Sequence, residues 1–138
     1  MAKRRVYVDA CVLMVAFKAE EPALSDAAMA LLDDPETEHL YSRITELEVL
    51  PKATFHKRDE ECEFYRAFFE SSAQVPCTED IVNDALDIGM RNGLSAGDSL
   101  HVACAVAAGA DELVTSEKGT KLPNAPNPGI TIRTLRKK

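Results

Sequence analysis

Four acidic residues stand at positions where their carboxylates would meet at one edge of a sheet. Asp9 follows a short apolar run, and Glu48 lies one turn into the helix predicted after a second strand. Asp98 lies one turn into another predicted helix, and Glu117 follows the strand-like segment ELVT. Converging carboxylates repel each other unless cations hold them together. An all-oxygen cluster favours Mg²⁺ or Mn²⁺, and such ions promote phosphodiester hydrolysis.

Short apolar runs and capping signals predict the elements that must position these acids. Strands are predicted at residues 6–9, 39–44, 73–77, 112–115 and 129–135, and helices at 12–18, 22–32, 45–57, 58–72, 78–90 and 95–109. Strands that alternate with helices indicate an α/β fold with a parallel sheet covered on both faces. Ligands of such sheets bind at the carboxyl ends of the strands, where the four acids lie.

Each acid also has an ordinary structural explanation. The segments Thr45–Glu48 and Ser95–Asp98 both match the capping box, in which the acid reaches back to the helix start. Glu117 is compatible with a solvated loop, and Asp9 with a cap of the first helix. Taken singly, the acids leave these alternatives open, so the prediction of a metal site rests on the set and its order.

Bulk properties narrow the class of protein. A chain of 138 residues favours one domain, 1–138, and a net charge of −7 argues against a nucleic-acid binder that relies on bulk basic charge. The basic clusters AKRR and RTLRKK are interpreted as solubilising termini. Four cysteines without metal-ligand spacing indicate reduced thiols and a cytoplasmic setting. Neither a signal peptide nor a membrane span is predicted.

Three blocks of the sequence, VYVDACVLMVAF, SRITELEVLPKA and GLSAGDSLHVACAVAAGADELVTSEKG, resemble the successive blocks of a PIN domain. They extend from residue 6 to about 119. The resemblance implies a three-layer α/β/α fold with a central parallel sheet of four to five strands. It also implies metal-dependent ribonuclease activity, in which Asp9, Glu48, Asp98 and Glu117 are the catalytic quartet. Asp9 and Asp98 would be the main ligands of Mg²⁺ or Mn²⁺.

The resemblance further implies partners. Many small single-domain members are VapC-like toxins, each neutralised by a cognate antitoxin, and free toxins of this kind commonly dimerise. We therefore expect an RNA substrate, an antitoxin protein that covers the acidic edge, a homodimer and no membrane association.

Residues near the four acids have candidate roles in the same site. Glu48 is preferred over Glu46, because the family places its acid directly before an apolar pair, here Val49 and Leu50. His101 is interpreted as a structural histidine without a catalytic role. The candidates for substrate binding are Arg43, Thr115, Ser116 and Lys118.

The sequence departs from the family pattern at two positions. Cys11 stands where the family usually has Thr, Ser or Asn, and Glu117 stands where it usually has Asp. These departures and the acidic net charge keep a second hypothesis open: a non-catalytic PIN-like domain that binds RNA or a protein. A third hypothesis, a receiver or phosphatase domain phosphorylated on Asp9, is weaker because the segment DAC lacks the second acid of such sites.

Overall fold

Short runs of β-branched and aromatic residues form five strands in the computed structural model, which describes residues 3–118 and 121–137. The strands are β1 (Arg4–Val8), β2 (Thr37–Ser42), β3 (Ala73–Val75), β4 (Glu112–Thr115) and β5 (Thr131–Thr134). The helices are α1 (Ala10–Lys18), α2 (Pro22–Leu32), α3 (Arg43–Phe55), α4 (Asp59–Glu70), α5 (Glu79–Asn92) and α6 (Ala96–Ala107). Ala2, Gly119 and Lys138, which the sequence interpretations included, lie outside the described residues.

All strand pairs are parallel, in the order β3-β2-β1-β4-β5. β1 lies at the centre, where Tyr7 pairs with Leu40 on one side and Leu113 on the other. The predicted three-layer α/β/α fold with a central parallel sheet is confirmed. Because every strand runs the same way, the segments after β1, β2 and β4 reach one edge of the sheet.

Alternating side chains of β1 feed two separate cores. Val6 and Val8 pack into the core built with α1 to α4, whereas Tyr7 packs into the core built with α5 and α6. This alternation follows from the two-residue period of a strand, whose neighbouring side chains point to opposite faces. The central strand is thereby buried on both faces, which fixes the position of the residue that follows it.

The predicted start of α3 is wrong. Ser42, not Thr45, is the N-cap, and the two residues form a capping box in which the Ser42 N–H donates to Thr45 Oγ1 at 3.3 Å. The helix therefore begins at Arg43, and the predicted second strand ends two residues early, at Ser42. Glu48 lies in the second turn, beyond reach of the cap, so the capping-box explanation of Thr45–Glu48 is excluded.

Other boundaries differ by a few residues. β1 begins and ends earlier than predicted, so Asp9 follows the strand instead of belonging to it. β3 and β5 are shorter than the predicted segments, and α1 begins two residues earlier. Within residues 3–118 and 121–137, we find no helix with the length and apolar character needed to cross a membrane.

Candidate metal centre

Asp9 lies at the junction between the central strand and α1, and neighbouring side chains hold its carboxylate. Its backbone N–H donates to the carbonyl of Val114 at 3.0 Å. Its Oδ2 accepts from Thr115 Oγ1 at 2.8 Å and from the Cys11 thiol at 3.3 Å. The side chain makes no capping bond to α1, and the residue is only 5% exposed. The capping explanation of Asp9 therefore fails, because its carboxylate accepts hydrogen bonds from the side chains of Thr115 and Cys11 and none from a backbone N–H of α1.

Asp98 and Glu117 join Asp9 at this edge. One carboxylate oxygen from each of the three residues lies within 4.8 Å of the other two. Asp98 reaches the cluster from the first turn of α6, where Ser95 Oγ accepts its backbone N–H at 3.3 Å. The cap bond uses the backbone N–H of Asp98, and its carboxylate lies beside those of Asp9 and Glu117.

The electrostatics of this cluster favour a bound cation. Burial and the charge of Asp9 raise the pKa of Asp98, and burial together with Asp98 and Asp9 raises the pKa of Glu117. Glu117 Oε2 is buried and has no hydrogen-bond partner among the described residues. Carboxylates that lie this close together, with few hydrogen-bond donors around them, are stabilised by a positive charge placed between them. The donor set therefore fits an oxygen-coordinated divalent ion such as Mg²⁺ or Mn²⁺.

Glu48 is connected to this cluster by His101, which lies between Glu48 and Asp9. Glu48 Oε1 lies 2.5 Å from His101 Nε2, which is 3.7 Å from Asp9 Oδ1. Burial lowers the pKa of His101, but the bond to Glu48 and the nearby carboxylates raise it more, so that the net shift is upward. Because Nε2 must carry a proton to bond a carboxylate, it offers no lone pair to a metal. The ligands available to an ion here are consequently oxygens.

His101, interpreted from the sequence as a structural histidine, makes its hydrogen bond within the acidic site. His101 is fully buried and contacts the acids directly, so its place is at the site itself. The spacing in the sequence indicates this proximity, because His101 follows Asp98 by three residues and shares its helix face.

Glu46 lies apart from the acids. Its Oε1 accepts from the amide of Gln74 at 3.1 Å and lies 3.6 Å from the guanidinium of Arg43. This placement agrees with the preference for Glu48. It also places Arg43 as an exposed cation in the first turn of α3, engaged with its helical neighbour.

The remaining predicted substrate-binding residues follow β4. Thr115 is fully buried and orients Asp9. Ser116 is 1% exposed, its N–H donates to Cys11 Sγ at 3.2 Å, and its hydroxyl has no partner within the described part of the chain. Lys118 is exposed and lines a cavity of about 360 Å³ that Glu117 also lines.

Arg136 supports the loop that carries Glu117. Its Nε donates to the carbonyl of Ser116 at 2.6 Å, and its Nη1 lies 2.9 Å from Glu21 Oε2. Arg136 belongs to the cluster RTLRKK, which we interpreted as a solubilising terminus. For Arg136 that interpretation is wrong, since its guanidinium ties the C-terminal segment to the loop after β4.

Comparison with protein-family models identifies the family of this chain. The model described as PIN domain matches residues 6–123. The chain belongs to the PIN domain family. A search of the curated proteins finds no match for this PIN domain.

Solved structures with the same fold include two VapBC complexes and one toxin–antitoxin complex. VapBC2 from Rickettsia felis, bound to a promoter DNA fragment, matches with a TM-score of 0.69 and 15% identity, covering 94% of this chain and 98% of that chain. A toxin–antitoxin complex from Klebsiella pneumoniae matches with a TM-score of 0.71 and 19% identity, covering 96% and 99%. DNA-bound VapBC from Salmonella typhimurium matches with a TM-score of 0.71 and 14% identity, also covering 96% and 99%. These similarities show the fold.

Cys11 acts in this PIN domain as a hydrogen-bonding group. Its thiol donates to Asp9 Oδ2, and its sulfur accepts from the Ser116 N–H. Burial and the neighbouring Asp9 raise the pKa of Cys11 to about 12, which keeps it a neutral thiol. The thiol therefore occupies the role that a hydroxyl would have, as a weaker donor.

This placement predicts the effects of two substitutions at Cys11. Cys11→Ser keeps a donor to Asp9, so we expect Mn²⁺ affinity equal to or greater than that of the wild type. Cys11→Ala removes the donor and leaves the Ser116 N–H without its acceptor, which costs about 1–3 kcal/mol in free energy of unfolding. Calorimetric titration and thermal melting would measure both quantities. Equal affinity and stability of the Ala variant and the wild type would contradict this role.

Proposed function

We propose that this PIN domain is an endoribonuclease that depends on Mg²⁺ or Mn²⁺ and hydrolyses RNA phosphodiester bonds. The observation that supports this function is the convergence of Asp9, Asp98 and Glu117, whose oxygens lie within 4.8 Å of one another. Raised carboxylate pKa values and the unpaired Glu117 oxygen support a cation at this point. Family membership agrees with nuclease chemistry.

Each acid has a separate proposed role. Asp9 and Asp98 would hold the ion, because Asp9 is fixed by two donors and Asp98 by the rigid first turn of α6. Glu117 and Glu48 would hold water near the ion by accepting its hydrogen bonds. A bound divalent ion supplies Lewis-acid activation of water and neutralises charge on the reacting phosphate.

The RNA would approach over exposed cations at the same edge. Arg43 and Lys118 are both exposed and follow β2 and β4 respectively, so either is available to a phosphate of the substrate. Thr115 and Ser116 are buried, so they would act indirectly, by orienting Asp9 and the loop that carries Glu117. A few local cations are sufficient for substrate contact, although the net charge of −7 makes the whole chain acidic.

A toxin role and its partners form the finer part of the proposal. The matched Rickettsia, Klebsiella and Salmonella structures are toxin–antitoxin or VapBC complexes, and this chain spans almost the full length of each matched chain. We infer a cognate antitoxin that covers the acidic edge, a homodimeric free form, a single domain over 1–138 and a cytoplasmic site of action.

RNA cleavage by the purified protein tests this function directly. We expect cleavage with Mn²⁺, none with EDTA, and none for Asp9→Asn with Mn²⁺. Cleavage that persists in EDTA or in Asp9→Asn would contradict the proposed site. Mn²⁺ binding without cleavage of any RNA would favour the second hypothesis, a non-catalytic domain that binds RNA or a protein.

A further inference from the structure

A chain of buried polar groups leads from the core to Glu48. The Tyr7 hydroxyl lies 2.7 Å from Ser42 Oγ and 2.7 Å from His101 Nδ1. His101 Nε2 then lies 2.5 Å from Glu48 Oε1. Ser42, Tyr7 and His101 are fully buried, so water has no access to the bonds among these three residues.

When His101 is neutral, the number of donors and acceptors fixes which residue donates in each hydrogen bond of this chain. Nε2 must donate, because the Glu48 carboxylate only accepts, and Nδ1 is then an acceptor. Tyr7 therefore donates its single hydroxyl hydrogen to Nδ1, and Ser42 donates to the Tyr7 oxygen. Ser42 Oγ in turn accepts the Thr45 N–H in the α3 capping box. Every member is satisfied, which makes the network rigid.

Glu48 depends on this network more than the other acids depend on theirs. Its side chain is 38% exposed. Among the described residues it has one side-chain hydrogen bond, to His101. A free glutamate on a helix surface gains rotamer entropy by extending into solvent. Asp9, in contrast, has two side-chain donors besides the histidine.

We infer that Tyr7 and His101 are positioning residues that hold Glu48 within the acidic cluster, through the hydrogen-bond chain Ser42–Tyr7–His101–Glu48. This inference rests on the proposed function, because it assigns the two residues to the metal centre of that function. Tyr7 lies on β1, His101 on α6 and Glu48 on α3. Ser42 lies at the junction of β2 and α3, so the chain connects the elements that carry the site. His101 also lies 3.7 Å from Asp9, a proposed ligand of the ion. Removing a side chain that supports a metal ligand from behind changes metal affinity by about 10–100-fold.

Tyr7→Phe tests the inference, because it removes one hydroxyl and keeps the buried ring. The matched control is Tyr65→Phe, another fully buried tyrosine whose hydroxyl donates to a carboxylate, Glu61, in the opposite core. We expect both variants to melt at lower temperature. Only Tyr7→Phe should weaken Mn²⁺ binding, by about tenfold in calorimetric titration.

A second pair of variants separates positioning from packing. His101→Gln retains an N–H donor toward Glu48, whereas His101→Leu retains volume but no donor. We expect the Gln variant to bind Mn²⁺ more tightly than the Leu variant. Unchanged Mn²⁺ affinity in Tyr7→Phe, or equal affinity in the Gln and Leu variants, would overturn the inference.

These measurements separate the two proposals. A wild type that binds Mn²⁺ but cleaves no RNA would contradict the proposed function alone, since the affinity comparisons would still test the positioning. A wild type that binds no Mn²⁺ would overturn the positioning as well, because Glu48 would then have no ion to face.

Discussion

Asp98→Asn is expected to lower metal-dependent RNA cleavage by roughly 100-fold or more while the melting temperature of the metal-free protein stays the same or rises. The loss follows because the ion supplies several kcal/mol of transition-state stabilisation and each 1.4 kcal/mol is a factor of ten in rate. Stability is retained because the recorded cap bond uses the Asp98 backbone N–H, which asparagine also has. Single-turnover cleavage and calorimetric melting would measure the two effects.

The matched control for this variant is Asp84→Asn. This substitution makes the same chemical change on the exposed face of α5, and we expect it to leave both cleavage and melting unaltered. If Asp98→Asn cleaves RNA normally and merely melts earlier, Asp98 is a helix-capping residue and the assigned role is wrong.

Divalent ions are expected to stabilise the folded protein, with a larger effect at neutral pH than at acidic pH. At an Mg²⁺ or Mn²⁺ concentration ten times the dissociation constant, binding adds about 1.4 kcal/mol to the free energy of unfolding. For a chain of this length that corresponds to a rise in melting temperature of about 5 °C. Absence of any shift with millimolar ion would contradict a preformed metal site.

The pH dependence follows from the direction of two pKa shifts. The pKa values of Asp98 and Glu117 are raised in the folded protein above their ordinary 3.8 and 4.5. The stability each contributes is therefore fully present below the ordinary pKa and is lost as pH rises through the folded value. Without metal, the wild type should lose stability relative to Asp98→Asn from about pH 4 upward.

Melting curves in EDTA between pH 4 and 7 would measure this difference. Comparison with Asp98→Asn cancels the oppositely signed contributions of acids elsewhere, such as Glu112, which arginines stabilise in its charged form. A difference between the two proteins that does not change with pH would show that Asp98 is an ordinary solvated acid.

The sequence was sufficient for the fold and for the order of the acids, because both depend on local signals. An apolar run before Asp9 defines a strand end, and parallel strands bring their ends to one edge. The start of α3 was missed because Ser42 and Thr45 are both good cap residues three positions apart. In the folded protein the Ser42 side chain bonds Tyr7 on another strand, a contact between distant residues that the local sequence does not show.

The supporting contacts of the site were beyond prediction for the same reason. Tyr7 and His101 are 94 positions apart, and Arg136 meets the carbonyl of Ser116 only after β5 has paired with β4. Buried polar bonds between distant elements leave no periodic pattern in a sequence. A tyrosine in an apolar strand is read as packing, and a basic residue near a terminus is read as solvation.

The exposed turn at Gly93, which adopts a φ of +67°, divides the acids equally. Asp9 and Glu48 precede it, and Asp98 and Glu117 follow it, while the β1–β4 pairing crosses the division. If the polypeptide were expressed as two fragments separated at this turn, neither would carry a complete cluster. If the proposed nuclease function holds, RNA cleavage would return only on reassembly, so the two fragments would report whether two proteins fused to them meet in a living cell.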